Sequence, residues 1–229
     1  MKIRTTELIE QLQADVRQLI LKTEYLQTEE TRTLIIQPAA EKWSITQVLE
    51  HLNSYGRYYL PAIEKSLAES RKPGREWFKA GWLGNYFTKI MRPGVDGKIA
   101  NKMQAPRNHR PRMIFDADSV INDFLEQQYI LLNLLQDATK KDIGNIRTPV
   151  SISRFIRLKT GDTFRFLIAH EQRHFVQIDN TLKQIKEMQA RQRLINTEFT
   201  RTIPPVGGTQ EPKKLQIEIS NTELPDTTF

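Results

Sequence analysis

The chain has 229 residues, of which 38% are hydrophobic and 27% charged, a composition that suits one globular domain with a sizeable core. It contains no cysteine, so disulfides, thiolate metal ligands and a cysteine nucleophile are excluded, and any metal ligand must offer nitrogen or oxygen. The net charge of +7 is concentrated: residues 71–112 hold eleven Lys/Arg against Glu76 and Asp96, which leaves the rest of the chain slightly acidic.

Apolar residues recur at helical spacing in four long stretches separated by breakers, which predicts an all-α four-helix bundle. The first helix is expected over about Thr5 to Gln27, with Leu8, Leu12, Val16, Leu19 and Ile20 on one stripe. The second starts at Ser44, which forms a capping-box pattern with Gln47, and carries Val48, Leu52, Tyr55, Tyr59 and Ile63. A long excursion follows over 71–115, with four prolines, five glycines and a cluster of aromatics. The third helix is expected over about Asp118 to Asp137. Residues 139–161 then form a connection with a short extended stretch around Val150, Ile152 and Phe155. The fourth helix runs from Asp162, as N-cap, to about Arg191. Beyond Asn196 the chain turns polar, so a domain over 1–195 and a disordered tail over 196–229 are expected. No stretch approaches the length needed to cross a bilayer, and a cytoplasmic location is expected.

Three of the four histidines fall on the predicted apolar stripes. His170 and His174 lie roughly 40° apart on one helical face, His170 three residues after Leu167 and Ile178 four after His174. His51 sits three after Val48 and four before Tyr55, on the inward stripe of the second helix. Three buried imidazoles are costly unless they are paired or bound to a metal, and one ion satisfies all three. His170-Glu171-x-x-His174 also matches the zinc-peptidase signature. That reading lacks a Gly-x-x-His downstream, leaves only Glu187 as a weak third ligand, and has no edge strand to hold a peptide.

The segments Lys42-Trp43-Ser44-Ile45-Thr46-Gln47-Val48-Leu49-Glu50-His51-Leu52 and His170-Glu171-Gln172-Arg173-His174-Phe175-Val176-Gln177-Ile178 resemble the DinB/YfiT-like superfamily of metalloenzymes, over about residues 5 to 190. The resemblance implies a four-helix bundle in which histidines of the second and last helices hold a divalent ion. By position these are His51, His170 and His174. Nickel or zinc is the implied ion, with iron and manganese as further choices. It also implies a homodimer, and in one branch of the family the transfer of a low-molecular-weight thiol onto an electrophile. Its name derives from damage induction and implies no DNA binding.

Three imidazoles on one ion leave a coordination position open for water or a substrate thiol, so a small-molecule thiol transferase or hydrolase is expected. Glu171 lies roughly 60 to 100° from the two helical ligands, where it is either a proton acceptor or a solvated or salt-bridged carboxylate. Glu50 has the same ambiguity. Gln177 falls beside the pair as a hydrogen-bond partner for a ligand. The alternative is a non-catalytic metal-binding or stress-response bundle.

In the excursion Phe78, Trp82, Tyr86 and Ile90 recur at four-residue spacing and predict a lid packed by its aromatics. Gly81 and Gly84 weaken a long amphipathic helix and no nucleic-acid module is recognisable, so neither membrane nor nucleic acid is expected as a partner. His109, among Arg107, Arg110 and Arg112, is left outside the site.

Overall fold

A computed structural model describes residues 1–94, 99, 103–112 and 116–202, the side chains of 154 and 199–202 apart. Of the tail expected over 196–229, residues 196–202 continue the last helix, which runs past its expected end near Arg191; the rest lies outside the described residues, as do 95–98, 100–102 and 113–115 of the excursion. Residues Met1–Ala190 form one compact unit; of the second, Arg191–Phe229, the described part is helical.

The described chain is mostly helical. Its elements are β1 (Lys2–Arg4), α1 (Thr5–Leu26), α2 (Thr31–Ile35), α3 (Ile45–Glu69), β2 (Trp77–Lys79), α4 (Trp82–Met91), a 3-10 turn (Arg107–His109), α5 (Ala117–Ala138), β3 (Arg147–Val150), β4 (Ser153–Lys159) and α6 (Thr160–Thr202). The four expected long helices are α1, α3, α5 and α6. α3 begins as the sequence predicts: Ser44 Oγ accepts from Gln47 N while the Gln47 side chain accepts from Ser44 N, and the helix continues through Pro61. α5 packs against both α1 and α3. The apolar stripes meet in one core that includes Val16, Ile45, Leu52, Ile63, Phe124, Leu131 and Phe164. Each such side chain, fully buried, contributes about 1.5–3 kcal/mol.

Two small antiparallel sheets depart from the all-α expectation. β1 pairs with β2, Ile3 opposite Phe78, and β3 pairs with β4 as a hairpin where a short extended stretch was expected. The helix after the hairpin starts at Thr160, so Asp162 lies inside its first turn and is not its N-cap. Residues 160–171 are buried throughout, which obliges the polar residues among them to find partners. Asp162 accepts from Gly81 N at 2.7 Å and pairs with Arg165 at 2.8 Å, and Arg165 also reaches the Asn85 side chain at 3.1 Å. That network fastens α4 to the start of α6.

The lid is anchored differently from the sequence expectation. Phe78 is 1% exposed and fills the space a side chain at Gly161 would take, while Gly84 lies so close to Asp162 that any Cβ there would collide with it. Trp82 is 83% exposed and Tyr86 55%, so these two rings do not pack the lid. The small residues Gly84 and Thr88 form the buried side of α4, which turns Trp82 and Tyr86 outward while Phe87 packs against the core.

Candidate metal centre

α3 and α6 present their histidines to each other across the core. His51 Nε2 lies 3.4 Å from His170 Nε2, and His174 Nε2 lies 3.1 Å from the same atom. One nitrogen from each of the three rings falls within 4.8 Å of the others, and they form the one such group of His, Cys, Asp or Glu donors among the described residues. His51 and His170 are buried, and His174 is partly open.

The hydrogen bonds behind the rings decide what the converging nitrogens can do. His51 Nδ1 is 2.7 Å from the backbone carbonyl of His109, and His174 Nδ1 is 3.0 Å from Gln177 Oε1. Both partners are acceptors, so both Nδ1 atoms carry the proton and both Nε2 atoms are bare lone pairs aimed at His170 Nε2. One proton on His170 satisfies at most one of them, and an unsatisfied buried acceptor costs about 1–3 kcal/mol. A divalent cation satisfies all three. Nitrogens ligating one tetrahedral zinc at about 2.0–2.1 Å stand roughly 3.3 Å apart, close to the spacing found. The donor set therefore fits a divalent ion.

Aromatic rings wall the centre. Trp43 lies 5.1 Å from the His51 ring, Tyr55 lies 4.5 Å from His170, and Phe166 stacks on His170 at an interplanar angle of 6°. Burial in this enclosure disfavours imidazolium: it lowers His51 to about 4 and His174 to about 3, the latter helped by the neighbouring His51, and takes His170 well below its ordinary value. The three rings are held neutral, the protonation state that binds metals.

Glu171 is placed elsewhere. It is buried on the side of α6 that faces α5, where its Oε1 accepts from Gln128 Nε2 at 3.2 Å, and it is not among the grouped donors. Burial pushes its carboxyl up to about 8, only partly offset by Gln128. Glu50 pairs with Arg57. Gln177 lies three residues on from His174, its Oε1 beside His174 Nδ1.

His109, set aside on sequence grounds, belongs to the surroundings of the centre. The turn Arg107–His109 brings it over α3, where its ring stacks on Tyr55 at 3.9 Å and its Nδ1 bonds Ser54 Oγ at 2.8 Å while its carbonyl holds His51. The one hint in the sequence was a histidine in an aromatic-rich loop; a main-chain acceptor has no residue-type signature.

A family model described as DinB superfamily matches residues 8–178. No curated protein and no solved structure matches the chain.

Proposed function

The chain belongs to the DinB superfamily, and from that premise and the convergence of His51, His170 and His174 we propose a divalent-metal-dependent enzyme acting on a small molecule. The reaction we propose is activation of a low-molecular-weight thiol, or of water, for transfer or hydrolysis. The observation that carries it is the pair of Nε2 lone pairs fixed by His109 and Gln177, which a single proton on His170 cannot satisfy. Nickel or zinc suits three neutral imidazoles best, with iron or manganese as alternatives. When bound, the ion supplies Lewis acidity that makes a thiol or water nucleophilic near neutral pH.

The chain's own residues supply the setting. The carbonyl of His109 and the amide of Gln177 fix the tautomers and ring orientations of two ligands. Trp43, Tyr55 and Phe166 keep water from the rings and strengthen electrostatic interactions inside the enclosure. No fourth His, Cys, Asp or Glu joins the three among the described residues, which favours a position left open for substrate over a closed structural site. Glu171 takes no part in the proton chemistry proposed here, because its carboxyl faces Gln128. The four long helices acting as one bundle, a homodimer and a cytoplasmic location belong to the same proposal, the last two supported by family resemblance and by the sequence alone.

The test joins metal to activity. Protein purified without an affinity tag is analysed for transition metals and, on the same sample, screened with small thiols and electrophiles. Substoichiometric metal even after reconstitution overturns the proposal. A turnover lost in His174→Ala and restored by no added metal supports it.

A further inference from the structure

The basic charge of the excursion is not used by the histidine centre. Two of its cations, Lys79 and Lys89, join basic residues from the N-terminus and from β4 on a separate surface that begins at the β1–β2 sheet. Ile3 and Phe78 point inward, which leaves Lys2, Arg4, Trp77 and Lys79 on the outer face, with Lys2 opposite Lys79 and Arg4 opposite Trp77. Lys2 Nζ stands 4.7 Å and Arg4 5.5 Å from the centre of the Trp77 ring. Lys159 extends the face by donating to the Lys79 carbonyl at 2.7 Å, and its aliphatic stem passes beside Gly81.

Two apolar projections leave from there. Trp82 opens α4 and is followed one turn later by Tyr86 and then by Lys89 on the same exposed side. Along β4, alternate residues Phe155 and Arg157 face outward with Lys159, and Phe155 is 97% exposed. On β1, β2, α4 and β4 six cations, Lys2, Arg4, Lys79, Lys89, Arg157 and Lys159, lie on this side, and these elements hold no acid. Glu76, beside β2, is engaged by Arg4 at 3.7 Å, and Asp162 beneath is buried and paired.

We propose that this face docks the protein on an anionic lipid bilayer, a partner that the sequence reading had not expected. Charge complementarity selects the occupant. A second copy of the chain meeting the same face would set like charges against each other. A single-stranded nucleic acid stacks successive bases on rings along a groove, whereas here Lys2 and Arg4 cover Trp77 and the open rings of Trp82 and Phe155 project from separate elements. Exposed Trp, Tyr and Phe tips ringed by Lys and Arg match an anionic headgroup layer, with the rings at the depth where Trp and Tyr settle and the cations at the phosphates. The contact is peripheral, since no helix among the described residues is long and apolar enough to cross a membrane.

Full-length protein is sedimented with vesicles of phosphatidylcholine alone and of phosphatidylcholine mixed with phosphatidylglycerol, at low and high salt. Binding to the mixed vesicles, weakened by salt and accompanied by a blue shift of tryptophan emission, is expected. Trp82→Ala and Lys79→Glu should each lower the partition coefficient by roughly tenfold, whereas Lys183→Glu, away from this face, should change it far less. Thermal unfolding of each variant guards against misfolding, and Tyr86→Ser gives a second exposed position. Equal partition into neutral and anionic vesicles overturns the proposal, as does no binding at low salt. Vesicle binding unchanged by these variants while they abolish binding of a single-stranded oligonucleotide also overturns it.

Discussion

The histidine centre and the basic outer face built on β1, β2, α4 and β4 both set aromatic rings beside nitrogen bases, to opposite ends. Inside, aromatic rings enclose bases that burial keeps uncharged; outside, aromatic rings stand in water among lysine and arginine side chains. In the first region a lone pair is valuable because nothing else shares it. In the second, charge acts by number and is screened by salt. Substitutions should therefore have large, specific effects at the centre and small effects on folding at the face.

The largest expected effect is at a ligand. Metal at about a hundredfold its dissociation constant should stabilise the protein by about 2.7 kcal/mol, and His174→Ala should abolish that increment while leaving the metal-free form nearly as stable. Thermal unfolding with and without metal measures both. Gln177→Ala removes the acceptor behind His174 and should weaken metal binding about 10- to 100-fold, read by competition with a chelating dye. An unchanged affinity would break the link between the outer hydrogen bonds and the centre.

Acid comes next. Unfolded histidines take protons near their ordinary value of 6.5, whereas His51 and His174 resist down to about 4 and about 3. Between these limits the unfolded chain binds more protons, so the metal-free fold should lose stability as pH falls from about 6.5 towards 4. Metal occupancy should likewise outlast the ordinary histidine range and fail only towards about pH 4. Metal analysis after equilibration at stepped pH checks this.

Glu171 has the opposite sign. Its folded carboxyl holds a proton up to about 8 against an ordinary 4.5, so its stabilising contribution is present below 4.5 and lost as pH rises through 8. Glu171→Gln should remove that alkaline loss, a difference on the order of 1–3 kcal/mol between wild type and variant above pH 8 in denaturant titrations. The smallest expected effect is on the outer face, where Trp82→Ala should shift unfolding stability by no more than about 0.5 kcal/mol. A larger loss would mean that the ring packs against something after all.

How much of this was legible in the sequence follows from the range of each interaction. The inward positions of His51, His170 and His174 were readable because helical periodicity repeats over many residues, so the apolar stripes locate a polar exception among them. The pairing of Ile3 with Phe78 was not: three-residue strands are too short to alternate visibly, and their partners are distant in the chain. The outward turn of Trp82 and Tyr86 was missed for a different reason. Four-residue spacing shows that they share a face but not which face is buried, and Gly84 against Asp162 decides that. Glu171 looked like an acid at the margin of the ligand face; Gln128 on α5 gives it a buried partner that no local pattern announces.

The bond from His51 to the carbonyl of His109 constrains redesign of this molecule in an unusual way. Every amino acid supplies the same carbonyl, so position 109 can change identity and still hold the ligand's proton, provided the loop keeps its course. Insertion or deletion of one residue between Pro106 and Arg112 would displace that oxygen even with every side chain of the centre intact. Loop length, more than loop composition, is the quantity that anyone grafting a new excursion onto this scaffold would have to preserve.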